Sequence, residues 1–281
     1  MLRVAVPNKG QLSDPARDML REAGYAAAAS SRELVVQDPE NDVEFFFLRP
    51  RDIATYVGRG TLDVGITGQD LLADSKSTAS TILELGFAPS TFRLAAPKES
   101  AKSVSDLAGM RIATSYPTIL TDWLTSKSVT AEVVELDGAV ENAVRLGVAD
   151  AVADVVATGT TLKQAGLEVI GDPIFKSQAV LISRSDIQDQ NAVDVFVRRL
   201  EGVIVARAYV LVDYDIPNTL IEKACVITPG IESPTVSSLH DSTWSAVRAM
   251  VPRKQVHGVM DELYNLGARG VIVTDIHACR I

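Results

Sequence analysis

The residues best suited to chemistry lie in one stretch, Asp150-Ala-Val-Ala-Asp-Val-Val-Ala-Thr-Gly-Thr-Thr-Leu-Lys163. An apolar run of strand type, Ala151 to Ala157, carries one carboxylate, Asp154, and ends in Thr158-Gly159-Thr160-Thr161; helical spacing resumes at Leu162. A strand that breaks at a Gly/Thr turn and opens a helix aims several backbone N–H groups at one point. The helix dipole favours an anion at the same place. Gly159 lets backbone approach closely, and the hydroxyls of Thr158, Thr160 and Thr161 can donate hydrogen bonds. The stretch reads as a phosphate cradle, although it has no Walker lysine and does not fit G-x-x-x-x-G-K-S/T. An ordinary βα turn capped by threonine shares the same pattern, so the neighbouring residues must decide.

A carboxylate inside an apolar run needs a partner, and Asp154 is such a carboxylate. Asp137-Gly-Ala-Val-Glu141 precedes the cradle, with Asp137 expected to cap a helix over Ala139 to Leu146 and Glu141 in its first turn. Mg²⁺ is commonly held by one or two carboxylates together with substrate phosphates. A cradle, a metal-competent acid and basic residues across a cleft suit departure of a diphosphate. Such a reaction needs positioning and neutralised charge rather than a protein nucleophile.

The elements that must position these groups follow in order. Leu2 to Pro7 is a buried strand ending at Asn8-Lys9-Gly10, and Ser13 opens a helix with Leu12, Ala16, Met19, Leu20 and Ala23 on one face, closed at Gly24. Val43 to Leu48 is a strand that delivers Arg49, and Pro50 starts a helix. Leu62 to Thr67 is a strand, after which Gly68-Gln-Asp70 opens a helix. Lys9, Arg49 and Asp70 therefore sit at strand ends or helix starts, where open α/β sheets bind ligands. A second lobe repeats the pattern. It has strands Phe92 to Pro97, Glu132 to Leu136 and Glu168 to Ile170, a strand and turn over Arg111 to Pro117, and a helix bearing Ile119, Leu120, Trp123 and Leu124. Ala179 to Ile182 returns to the first lobe, followed by a helix over Ala192 to Leu200. Two α/β lobes joined by a double crossover make a cleft.

From about Val203 the character changes. A β-branched run over Val203 to Tyr214, a helix near Thr219 to Lys223 and an extended piece over Ala224 to Thr228 come first. A loop with two prolines, Thr228 to Thr235, then leads to a strand over Trp244 to Val251, a helix over Val256 to Leu266 and a strand over Val271 to Ile276. The order is β-α-β-β-α-β, ferredoxin-like.

Bulk properties bound the function. The chain has 281 residues, 47% hydrophobic and 22% charged, with a net charge of −9 from 27 Lys+Arg against 36 Asp+Glu. That balance argues against non-specific nucleic-acid binding. Cys225 and Cys279 form no CxxC pattern and the N-terminus lacks a signal peptide, so a cytoplasmic protein without a membrane span is expected. Its histidines, His240, His257 and His277, all lie late in the chain, so chemistry in the first 239 residues uses no histidine base or His-ligated zinc.

The chain resembles the ATP phosphoribosyltransferases of the long, histidine-inhibited type. The likeness rests on Val6-Pro-Asn-Lys-Gly10, Phe46 to Asp52, Asp63 to Gly68, Arg111 to Pro117, Asp137 to Glu141, Ala153 to Leu162 and Ile227 to Thr235. The resemblance implies two periplasmic-binding-protein-like lobes, residues 1–91 plus 180–205 and residues 92–179. To these it adds an ACT-like, ferredoxin-like regulatory domain over 206–281. It implies transfer of the phosphoribosyl group of phosphoribosyl pyrophosphate to N1 of ATP, with Mg²⁺ as cofactor and pyrophosphate released, as the first step of histidine biosynthesis. By the same resemblance Glu141, Asp154 and Thr158-Gly159-Thr160-Thr161-Leu162 bind the donor, with Asp154 on the ribose hydroxyls or Mg²⁺. Lys9, Gly10, Arg49 and Asp70 bind ATP, and Tyr116 joins Asp154, Lys9 and Arg49 near the reacting groups. L-Histidine is expected at Asp213, Asp215, Ile231, Ser233, Thr235 and Ala268. AMP is a further ligand, and the expected assembly is a homodimer interconverting with a homohexamer. Two other readings stay open at this point: a nucleobase-salvage phosphoribosyltransferase, whose donor loop prefers two adjacent acids where this chain has Ala153-Asp154, and a two-lobe binding protein without catalysis.

Overall fold

The computed structural model describes residues 1–26, 33–98, 100–101, 103–156 and 160–280. They divide into two compact units, Met1–Arg21 with Tyr25–Val193 and Glu22–Gly24 with Asp194–Ile281. The larger unit holds two α/β lobes, as expected.

The first lobe runs β1 (Leu2–Pro7), α1 (Ser13–Glu22), β2 (Val35–Asp38), β3 (Val43–Leu48), α2 (Pro50–Gly58), β4 (Val64–Gly68), α3 (Gln69–Ser75) and β5 (Ser80–Glu84). The second contributes β6 (Ser90–Pro97), β7 (Arg111–Thr114), α4 (Pro117–Ser126), β8 (Glu132–Glu135), β9 (Ala151–Val156), α5 (Thr160–Gln164) and β10 (Leu167–Ser177). The chain then returns through β11 (Ala179–Ser183).

The first sheet is ordered β2-β3-β1-β4-β11-β5. Parallel pairing of β1 with β3, Leu2↔Val43 through Pro7↔Leu48, brings Lys9 and Arg49 to one sheet edge. Val4, Ala5 and Val6 are fully buried, as continuous apolar strands in parallel sheets must be. The second sheet is ordered β10-β6-β9-β7-β8. Strand β9 lies at its centre with apolar clusters on both faces, Ala151 and Ala153 in one and Val152 with Leu162 in the other. The two crossovers run side by side: Gln69 N–H donates to the Gln178 carbonyl and Ala179 N–H to that of Phe87, each at 3.0 Å.

The smaller unit contains most of α6 (Gln190–Ala208). Then come β12 (Tyr209–Pro217), α7 (Ile221–Ile227), β13 (Thr235–Ser238), β14 (Trp244–Pro252), α8 (Val256–Leu266) and β15 (Arg269–Asp275). Its sheet order, β13-β14-β12-β15, is the ferredoxin-like arrangement.

Several expected elements are corrected. The β-branched run from Val203 does not open a strand; α6 continues to Ala208. Buried Val193, Phe196, Leu200, Val203 and Ala206 keep helical spacing throughout, and that period outweighs the strand preference of Val and Ile. Ala224 to Thr228 is not extended. Ile221, Ala224 and Ile227 share one core-facing side of α7, and Thr228 ends the helix with its hydroxyl on the Ala224 carbonyl at 3.1 Å. The second strand of the domain is instead β13. The helix expected over Ala139 to Leu146 is a single 3-10 turn, Val140–Asn142. Gly138 and Ala139 have φ of 131° and 49°, so no regular helix can begin there, and Leu146 is 74% exposed.

Candidate active site

A cavity of about 540 Å³ lies in the larger unit, walled by both lobes. From the first lobe come Lys9 and Gly10 after β1, Arg49 and Arg51 at the start of α2, and Asp70 in α3; from the second come Tyr116 and Val155, with Asp137 beyond β8. The structure thus gathers Lys9, Gly10, Arg49, Asp70 and Tyr116, which were expected near one another. Gly10 has φ of 74°, a left-handed turn that glycine makes without strain.

Asp70 is only 6% exposed. Its Oδ1 accepts from its neighbour's amide, Leu71 N, and from the Ser177 hydroxyl, both at 2.9 Å, and its own N–H donates to that hydroxyl at 3.0 Å. Gly68 makes this possible, because a Cβ there would lie 2.3 Å from Asp70 Oδ1. The carboxylate is thereby fixed at the crossover between lobes and faces the Tyr116 hydroxyl.

Tyr116 packs on Phe92 in a tilted arrangement, ring centroids 5.3 Å apart, and the Arg51 guanidinium lies over its ring at 4.5 Å. Burial raises the phenol pKa well above its ordinary value; the Asp70 charge adds to this and Arg51 opposes it. A raised pKa keeps the Tyr116 phenol in its neutral, hydrogen-donating form.

Asp154 lies on β9, opposite Arg93 in register on β6. Its Oδ1 accepts from its neighbour's amide, Val155 N, at 2.7 Å. Burial raises its carboxyl pKa and Glu141 raises it further, while the Val155 hydrogen bond and Arg51 act in the other direction. A desolvated carboxylate of this kind is prepared for a cation or for hydroxyl donors. Glu141 therefore shares its field, from the 3-10 turn.

Among the described residues no group of three or more His, Cys, Asp or Glu could hold a metal ion. The residues present do fit Mg²⁺ held by one or two carboxylates and completed by substrate oxygens.

In the cradle, Thr158 and Gly159 lie outside the described residues, as does the Thr160 side chain. Thr161 is exposed on α5 and Leu162 is 3% exposed in the core beneath it. Arg51, Asp137 and Ser177 were not singled out for the site. Arg51 lies in the first turn of a helix already expected at Pro50, a position where a side chain reaches the sheet edge. Ser177, at the end of a long strand, gave no sequence signal.

In the smaller unit, Thr235, Arg248 and Asp213 form one row across β13, β14 and β12. Arg248 Nε donates to Asp213 Oδ1 at 2.7 Å. Asp215 pairs in register with Ala246 and with Arg269. Ile231, at 41%, and Ser233 are exposed in the proline-bearing loop, whereas Ala268 is fully buried and offers only backbone. Among the described residues no helix is long and apolar enough to cross a membrane.

Known proteins similar to this chain over its full length share one family. A family model described as ATP phosphoribosyltransferase matches residues 49–202, and a second, for the C-terminal domain of the same family, matches residues 206–278. The chain is 62% identical to an ATP phosphoribosyltransferase of Pseudarthrobacter chlorophenolicus and 57% identical to one of Streptomyces coelicolor, over the full length of each chain. Among solved structures it is similar to an ATP phosphoribosyl transferase (HisG:HisZ) complex from Thermotoga maritima. The TM-score is 0.63 and the identity 28%, covering 73% of this chain and 98% of that one.

Proposed function

This chain belongs to the ATP phosphoribosyltransferase family, and from that premise we propose how its cleft carries out the transfer. The protein is a pentosyl transferase of histidine biosynthesis: the N1 lone pair of adenine in ATP forms a bond to C1 of phosphoribosyl pyrophosphate. The C1–O bond breaks and its electron pair leaves with pyrophosphate. Full-length identity of 62% to a curated enzyme of that name is the observation that carries this reading.

Lys9, Gly10, Arg49 and Asp70 hold ATP from the first lobe. Cationic side chains on a polyphosphate make charge-assisted hydrogen bonds, among the strongest a surface offers. The donor lies on the second lobe, its 5-phosphate on Thr158, Gly159, Thr160, Thr161 and the backbone ahead of Leu162. Asp154, supported by Glu141, accepts from the ribose hydroxyls and faces the positive charge that develops at C1 as the bond loosens. Tyr116 donates its hydroxyl near the reacting groups. Mg²⁺, when bound, neutralises the diphosphate; Asp154 would be its protein ligand. No protein nucleophile is needed, because holding the two substrates in line supplies much of the rate.

The C-terminal domain binds L-histidine as a feedback inhibitor. Asp213 and Asp215 take its amine, and the loop residues Ile231, Ser233 and Thr235, with the Ala268 backbone, take its carboxylate. AMP competes in the ATP site. The protein works in the cytoplasm as a homodimer that converts to a homohexamer. The test mixes purified protein with ATP, phosphoribosyl pyrophosphate, Mg²⁺ and pyrophosphatase and follows phosphoribosyl-ATP absorbance. Product suppressed by histidine is expected. Product indifferent to histidine would remove the C-terminal site, and absence of product would remove the transferase reading.

A further inference from the structure

Helix α4 has no cap of its own. Its N-cap residue is Tyr116, which makes no side-chain cap hydrogen bond, and Pro117 follows. The first free amides, those of Thr118 and Ile119, donate instead to Asp74 Oδ1 at 2.9 and 3.2 Å. Asp74 belongs to α3 in the other lobe, 44 residues upstream. The same carboxylate lies 3.7 Å from Arg51, and Asp74 is 10% exposed. Arg51 in turn donates to the Ser115 carbonyl and covers the Tyr116 ring. Two first-lobe side chains therefore grip residues 115–119 of the second lobe at four points, and Tyr116 stands in the middle. The carboxylate is retained at a cost: burial raises its pKa, and Glu135 repels it.

We infer that Asp74 and Arg51 are positioning residues, a cross-lobe clasp that holds the two lobes together and sets the Tyr116 ring in the cleft. The inference rests on the transferase reading above. Helix caps are ordinarily local; a cap supplied by the opposite lobe exists only while the lobes are together. Helix integrity and lobe closure are thereby one event. Arg51 adds stacking and a planar fork that lysine lacks, so its contribution is geometry as well as charge.

The experiment measures two things on Asp74→Ala, Asp74→Asn, Arg51→Met and the double variant. The first is amide hydrogen exchange at Thr118 and Ile119, which needs no turnover. The second is kcat and both KM values. Asp74→Ala is expected to speed exchange and lower kcat by about tenfold, the size of a lost cap. Asp74→Asn restores both to within about threefold, because an amide oxygen still caps. Arg51→Met lowers kcat with exchange at Thr118 less affected, and the double variant is little worse than its worse parent, as expected for groups acting as one unit. Unchanged kcat in Asp74→Ala, or losses that multiply in the double variant, would overturn the clasp. Arg51→Met, on a more exposed side chain, keeps the test available if Asp74→Ala does not fold. Wild-type protein that makes no product would defeat the transferase reading, and the exchange result would still judge the clasp.

Discussion

The two lobes of the larger unit share a plan but bring different side chains to the cavity. The first brings the cations Lys9, Arg49 and Arg51, each at the end of a strand or the start of a helix, together with the carboxylates of Asp52 and Asp70. The second lines it with a neutral phenol, Tyr116, and with Asp137, while Asp154 lies desolvated on its central strand, next to the lining residue Val155 and not itself in the lining. On the proposed roles, the first lobe holds the triphosphate and the second supports the ribosyl cation. The smaller unit differs from both: the row Thr235–Arg248–Asp213 is an exposed surface whose acid is already paired. A zwitterion binding there must exchange one partner for another.

The division can be broken from its strongest point downward. Asp154→Asn keeps the shape and removes the charge, and is expected to lower kcat by about 10²–10³ in the product assay. The same change should stabilise the free protein. A carboxyl whose folded pKa is raised contributes stability only below its unfolded value near 3.9, and loses it as pH rises through the folded value. Removing the ionised group at neutral pH should raise Tm by about 1–3 °C in a thermal melt. Lost activity with a lower Tm would mean damage to the fold and not to the site.

Arg49→Ala or Lys9→Met should raise the KM for ATP by about tenfold, the worth of one charged hydrogen bond, with a smaller effect on the donor. Tyr116→Phe should cost only about three- to fivefold in kcat, one neutral hydrogen bond. Its pH profile should keep the wild-type limbs up to pH 10, since the buried phenol does not ionise there; a shifted alkaline limb would make Tyr116 an acid or base after all. Thr235→Ala, furthest from the cleft in sequence, should raise the histidine inhibition constant about tenfold, seen by titrating the inhibitor.

Much of this arrangement was legible from the residues. Leu2–Pro7, Val43–Leu48 and Val256–Leu266 have the limits their patterns suggest, closing at Pro7, between Asp42 and Arg49, and at Gly267. Lys9, Arg49 and Asp70 could be placed together because parallel pairing puts successive strand ends along one edge. Elsewhere local preference misled. Val203 to Val205 look like strand, yet their helical packing period governs, and Asp137-Gly138 looks like a cap, yet Gly138 and Ala139 adopt left-handed backbone. Arg51 and Asp74 gave no signal, since their roles depend on two lobes meeting at residues 115–119, a contact with no local pattern. Edge strands such as β5, mostly exposed, lack the apolar alternation that marks a strand.

The most direct measurement of the division between lobes is calorimetric titration of each substrate separately into Arg49→Ala and Asp154→Asn. ATP, and phosphoribosyl pyrophosphate with Mg²⁺, would be the titrants. A crossed pattern is expected, Arg49→Ala weakening ATP about tenfold and sparing the donor, Asp154→Asn doing the reverse. Equal losses for both ligands in both variants, or the reversed pattern, would contradict it.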